Sequence, residues 1–315
     1  MAATVMSLTA IAAPVTASQS AAGAAECPGL PAGVHVVKPP KGFNPLTASA
    51  AQLRALNFPA RPARGSDASW LKAMSHATHF VCPTITGSNE SATAATGYKQ
   101  TSPNWAGNQD TPDWYYESWA YWVVPSVNPA STSLDGYSVI WTGLGGGTST
   151  SDELVQAGTK QYAYVSGSHT YNFWYQITPG QSLQNVGGLS LIPGQQVYVD
   201  VWYNGTTTAH FFVQNVSSNH YTTITEAFNG NTGAWAEWIV ERPKISGSLP
   251  SLARWAGAIN ITDARAEDKY TGVYNCAGTQ VHDYYDMYAG SAELAYPSSW
   301  TDGQYCNFPT YRTNN

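Results

Sequence analysis

An all-β fold over residues 101–315, an antiparallel β-sandwich or a barrel, is what the sequence predicts. From Asn104 onward, runs of aromatic and β-branched residues recur, broken at short intervals by Gly, Pro and Asn. No long stretch there carries the 3.6-residue apolar period of a packed helix. Many short strands joined by regular turns bury their apolar faces as a sandwich or barrel.

In chain order, Met1 to Ala25 is Ala-rich, uncharged and weakly apolar, with Ala-x-Ala-like sites around Ala22 to Ala25. It reads as a signal segment without the usual basic n-region, so a secreted, extracellular protein is expected. Residues 26–100 form an extension in which prolines cluster (Pro28, Pro31, Pro39, Pro40, Pro45, Pro59, Pro62). Two short helices are expected in it, near Ala48–Leu56 with Thr47 as N-cap and near Asp67–His76 after Ser66. Ser88 to Gly97 is a small-residue tract suited to a linker or a processing site. Strands are then expected at Ser118–Val124, Ser138–Thr142, Tyr162–Val165, Tyr171–Ile177, Gln196–Trp202, Ala209–Val213, Tyr221–Ile224 and Ala236–Val240.

Hydrophobic residues make up 43% of the chain, enough for a sizeable core, while charged residues are only 11%. An average soluble chain has roughly 25%. Polarity comes instead from Ser, Thr, Asn, Gln and Gly, a surface that changes little when carboxylates protonate. Through Lys99 there are seven basic and three acidic residues, a balance of +4; from Gln100 there are seven and seventeen, a balance of −10. An acidic body excludes nucleic acid as the expected partner, because phosphate binding needs a basic face. Nothing after the leader is long and apolar enough to span a bilayer, and a monomer is expected. Four cysteines, Cys27, Cys82, Cys276 and Cys306, allow three pairings, and sequence proximity favours Cys27–Cys82 and Cys276–Cys306. None has C-x-x-C spacing, so no metal and no cofactor are expected.

Several hydrolase signatures are missing: H-E-x-x-H, G-x-S-x-G, and the Asp-Thr-Gly or Asp-Ser-Gly triplets. His282-Asp283 are neighbours in sequence, but neighbours on a strand point to opposite faces. What stands out is Ala236-Glu237-Trp238-Ile239-Val240-Glu241, where two carboxylates four residues apart share a face of an apolar strand. Flanked by Trp235 and Trp238, Glu237 is expected to be partly desolvated. Desolvation raises a carboxyl pKa and suits it to proton transfer.

This string resembles the signature of the glutamic peptidases, also called eqolisins. Three more segments agree in order: Asn104-Trp105-Ala106-Gly107, Trp141-Thr142-Gly143-Leu144, and Leu154-Val155-Gln156-Ala157-Gly158. The match runs from about Asn104 to Ala258. The leader's Phe43-Asn44-Pro45-Leu46-Thr47 and Phe58-Pro59-Ala60-Arg61-Pro62 also look like segments of bacterial relatives.

The resemblance implies a two-sheet antiparallel jelly-roll sandwich of the concanavalin kind. It makes Glu237 and Gln156 the catalytic pair, and puts Trp105, Trp141, Trp174, Tyr171 and Glu241 at the substrate. It further implies a polypeptide substrate and an N-terminal prosegment, residues 26–100, that inhibits the enzyme. The chain departs from the family pattern at Gly145, Asn172, Gln176 and Gln195, where carboxylates are usual. Two alternatives stay open: a carbohydrate-binding or carbohydrate-active jelly-roll protein, and a family member without activity.

Overall fold

The computed structural model describes residues 23–62, 67–91, 100–111, 115–146, 153–203, 207–228, 230, 235–268, 272–275, 281–298 and 308–313. Most of the signal-like segment, Ser66 as a helix cap, residues 92–99 of the processing tract and the Cys276–Cys306 pair lie outside the described residues.

Fifteen strands carry the body: β1 (Trp105–Thr111), β2 (Tyr115–Val123), β3 (Gly136–Gly145), β4 (Leu154–Ala163), β5 (His169–Thr178), β6 (Gln184–Gly187), β7 (Gln196–Tyr203), β8 (Thr208–Asn215), β9 (His220–Ala227), β10 (Ala236–Glu241), β11 (Ala258–Asp268), β12 (Gly272–Asn275), β13 (Val281–Ala289), β14 (Ala292–Pro297) and β15 (Phe308–Arg312). The front sheet runs β6-β5-β4-β3-β10-β1-β13, all antiparallel. The back sheet runs β9-β8-β7-β2-β11. Pairings β13–β14, β14–β15 and β15–β11 join the two sheets along one side.

The main core lies between the sheets. Alternation decides which residues reach it: Ala236, Trp238 and Val240 of β10 point inward to meet Val199, Val201 and Phe211 in one apolar cluster. The intervening Glu237, Ile239 and Glu241 therefore face outward from the front sheet. There a second, smaller cluster forms from Trp105, Val139, Trp141, Trp174, Ile239 and Tyr285.

The extension is woven into both sheets. Helix α1 (Ala50–Ala55) and helix α2 (Asp67–His76) lie on the outer face of the back sheet, packing Leu53, Leu56, Phe58, Trp70 and Met74 against Trp119, Tyr121, Tyr198, Phe212 and Tyr221. Val34–His35 and His79–Phe80 add to β9, and Thr84–Gly87 adds to β6. The Cys27–Cys82 disulfide, with Cα atoms 5.5 Å apart, closes the extension on itself.

Two local expectations need correction. The N-cap of α1 is Ser49, not Thr47: Ser49 Oγ accepts from Gln52 N and Gln52 Oε1 accepts from Ser49 N, a reciprocal box that fixes the start. The strand expected at Tyr162–Val165 is Leu154–Ala163, and Tyr164 to Gly167 is its turn. Its central run, Gln156 to Gln161, lacks simple apolar alternation because both faces are buried for different reasons.

Candidate active site

The strand register of the front sheet lines residues up in rows across its outer face. One row reads Gln176, Gln156, Gly143, Glu237, Gln109 on β5, β4, β3, β10 and β1. The next reads Trp174, Gly158, Trp141, Ile239, Gly107, Tyr285, and the third Asn172, Lys160, Val139, Glu241, Trp105. Polar groups thus share the first row, aromatic rings dominate the second, and charges reappear in the third.

Gln156 and Glu237 stand on either side of Gly143, two strands apart, so about 10 Å at the backbone. Gly143 has no side chain to fill the space between them. A Cβ there would come within 3.1 Å of Gln156 Cβ and 3.0 Å of Val155 O. Glycine at this position therefore lets the two side chains approach each other over a backbone that could not carry a side chain without crowding Gln156.

Both side chains are fully buried, and each keeps one oxygen, Glu237 Oε2 and Gln156 Oε1, without a hydrogen-bond partner among the described residues. The other Glu237 oxygen accepts from Gln109 Nε2 at 2.7 Å. Gln109 is itself fixed, because Tyr285 OH donates to its Oε1 at 2.6 Å. Gln156 Nε2 donates to Gln176 Oε1 at 3.4 Å, and Gln176 Nε2 donates to the Gln181 carbonyl at 2.6 Å. Burial raises the Glu237 pKa well above its ordinary value; the Gln109 hydrogen bond pulls it back and the Glu241 charge pushes it further up.

Glu241 is in a different state. Asn104 Nδ2 donates to one of its oxygens at 3.1 Å and Trp141 Nε1 to the other at 2.8 Å. With both oxygens engaged it organises the third row, whereas Glu237 has capacity to spare. Trp105 and Trp141 stand edge to face at 5.1 Å, and Trp141, through its indole N–H, frames Glu241.

Trp174 lies on the same face, in the aromatic row. Tyr171 does not: odd positions of β5 point to the inter-sheet side, and its hydroxyl accepts from Val127 N at 3.3 Å. It is removed from the substrate side for that reason. Trp238, expected to wall Glu237, also points to the opposite face, where its Nε1 donates to the Trp119 carbonyl. Sequence reading missed Gln109, Tyr285 and Lys160. Gln109 and Lys160 were reachable by period-two counting from Trp105 and Gln156. The Tyr285 contact depends on pairing between β1 and β13, far apart in the chain.

Comparison with known proteins bears on this site. No curated protein matches the chain. Two crystal structures of scytalido-glutamic peptidase match it, one with a transition-state analogue inhibitor and one with a peptide-based transition-state analogue. Each is 18% identical and covers 67% of this chain and 98% of the other, with TM-scores of 0.53 and 0.52, a likeness of fold. A model of the Peptidase A4 family matches residues 103–301, a span that holds every residue of the rows described above. That match sets aside the carbohydrate reading: the chain belongs to the Peptidase A4 family, the glutamic peptidases, and is a glutamic-type endopeptidase.

Proposed function

We propose that this protein is a secreted, acid-active endopeptidase in which Glu237 and Gln156 activate water against a peptide bond. The observation that carries the proposal is that Glu237 and Gln156 flank Gly143 on one face and that Glu237 Oε2 has no hydrogen-bond partner among the described residues. In the proposed reaction, a polypeptide carbonyl enters the gap over Gly143. Ionised Glu237 takes a proton from a water as that water attacks the carbonyl carbon. The carboxyl then returns the proton to the departing amine. The Gln156 amide donates to the oxyanion of the tetrahedral intermediate. Base, acid and oxyanion donor all come from side chains, so the scheme calls for no metal.

We infer too that the extension restrains the enzyme. Ser88 N donates to the Leu183 carbonyl, Leu183 N to the Glu90 carbonyl, and Glu90–Ser91 pairs with Lys244–Ile245. This strap leaves the β6 edge and passes over the end of the outer face that carries the site. The extension carries +4 and the body −10, so their attraction weakens as carboxylates protonate and as salt rises. Burial that raises the Glu237 pKa favours the protonated carboxyl, which cannot accept a proton from water, and so opposes its action as a base. Cleavage is expected between about Ser88 and Ser102. The test is hydrolysis of a denatured protein across pH, by the full chain and by its Glu237→Gln variant, before and after acid incubation. Acid-dependent cleavage lost in the variant is expected; cleavage by both would refute the assignment.

A further inference from the structure

Lys160 is the one Lys or Arg on the four central strands of the front sheet, β3, β4, β5 and β10. Four residues along β4 from Gln156, it projects on the same face. Its ammonium is buried, with 6% of its side chain exposed, and lies 3.1 Å from Glu90 Oε2 and 3.5 Å from Glu90 Oε1. The Tyr162 ring lies beneath it at 5.1 Å, and Tyr137 stacks edge-on against Tyr162 at 4.9 Å.

A buried cation must be paired, because an uncompensated charge out of water is strongly unfavourable. Among the described residues the body does not supply the partner. Glu241 shares the row but is two strands away and is held by Asn104 and Trp141, and the neighbour on β5 is the neutral Asn172. Among the described residues only the strap supplies it, with a carboxylate whose side chain is 12% exposed. An enzyme that releases the strap therefore uncovers a cation on its substrate face, already walled by tyrosine rings and without a counter-ion.

We propose that Lys160 anchors a subsite for an acidic side chain of the substrate, about 13 Å or four extended residues from the bond cut, and that Glu90 occupies this subsite in the closed chain. The proposal rests on the catalytic reading above, which sets where the scissile bond lies. In it, the strap holds its place by offering the enzyme the carboxylate that a preferred substrate would offer. Acidic polypeptides are then the favoured substrate class, with neutral residues tolerated and Lys or Arg at this position disfavoured by like charge.

The full chain carrying Glu90→Ala, to vacate the cation, and Glu237→Gln, to prevent turnover, tests this by fluorescence anisotropy. The probes are labelled peptides of one sequence with Glu, Gln or Lys placed in turn at each of the outer positions. At one position the Glu peptide should bind about tenfold more tightly than the Gln peptide, with the Lys peptide weakest. Lys160→Met in the same background should erase the difference. Equal binding of the Glu and Gln peptides, or a preference that survives Lys160→Met, would overturn the subsite. Cleavage of the same peptides by chain with Glu237 intact is read separately. If none is cut, the catalytic assignment falls, while the binding comparison still decides the subsite.

Discussion

Gln109 donates its amide N–H to Glu237 Oε1 at 2.7 Å, and Tyr285 holds Gln109 in the orientation that makes this possible. A donor to the ionised carboxylate favours it over the acid, which opposes the effect of burial. Removing the donor should therefore raise the Glu237 pKa. In Gln109→Leu, the limb of kcat/KM that reports ionisation of Glu237 should move to higher pH. Tyr285→Phe should shift it the same way by less, because the freed amide can still turn its N–H to Glu237. Unchanged profiles in both variants would show that neither residue positions the carboxyl.

The missing carboxylates of the family pattern divide into two groups. Gln176 touches Gln156, whereas Asn172 stands in the row of Lys160. Gln176→Glu should thus alter the pH profile, since a titrating group then meets the proposed oxyanion donor. Asn172→Asp should leave the profile in place and weaken any preference for acidic substrates, because it gives Lys160 a carboxylate of its own. An optimum still acidic, yet broader and nearer neutral than the family's, is expected of the unaltered enzyme. The measurement is kcat/KM against pH on Glu- and Gln-containing peptides; a profile shift from Asn172→Asp alone would contradict this division.

Much of this site was legible in the sequence. Two Glu four apart on a strand had to share a face, and ordered motifs brought Gln156 and Glu237 into one family pattern. The resemblance put Tyr171 at the substrate, whereas alternation along β5 turns it to the inter-sheet side. What could not be read was the register between distant strands. Gln109 becomes a partner of Glu237, and Tyr285 a partner of Gln109, only when β10, β1 and β13 lie side by side. The extension was harder still. Its two helices were expected from cap residues, Thr47 and Ser66, although Ser49 caps the first, but nothing local announces that they cover the back sheet.

That cover leads to an expectation about processing. Removing α1 and α2 would expose Trp119, Tyr121, Tyr198, Phe212 and Tyr221 together, an apolar patch of the kind that drives association. After cleavage within the strap, the residues that carry α1 and α2 should therefore remain bound to the body without a covalent link, while the strap around Glu90 leaves Lys160. Size-exclusion chromatography after acid incubation should give one peak that separates into two bands on a denaturing gel. A body eluting alone and soluble would contradict this.

Stability should also favour acid. Burial pushes Asp200 up to about 8, partly offset by hydrogen bonds from Tyr198 and Glu117, and it raises Glu117 well above the usual carboxylate range. A carboxyl whose folded pKa is raised gives its full stability below the unfolded value and loses it as pH climbs through the folded one. With an unfolded value near ~3.9, the loss for Asp200 spans about pH 4 to 8. The midpoint of thermal unfolding should fall across that window, and Asp200→Asn should flatten the fall. A midpoint that rises with pH there would refute the assignment.

The account turns on Glu237 acting as acid and base with Gln156 as its oxyanion donor. The most direct measurement is kcat for cleavage of one peptide by acid-treated chain, by Glu237→Gln and by Gln156→Ala, with thermal unfolding recorded for each. Cooperative unfolding in all three is predicted, with no turnover in Glu237→Gln and a loss of roughly 10²–10³ or more in Gln156→Ala. Near-normal turnover in either folded variant would contradict the account.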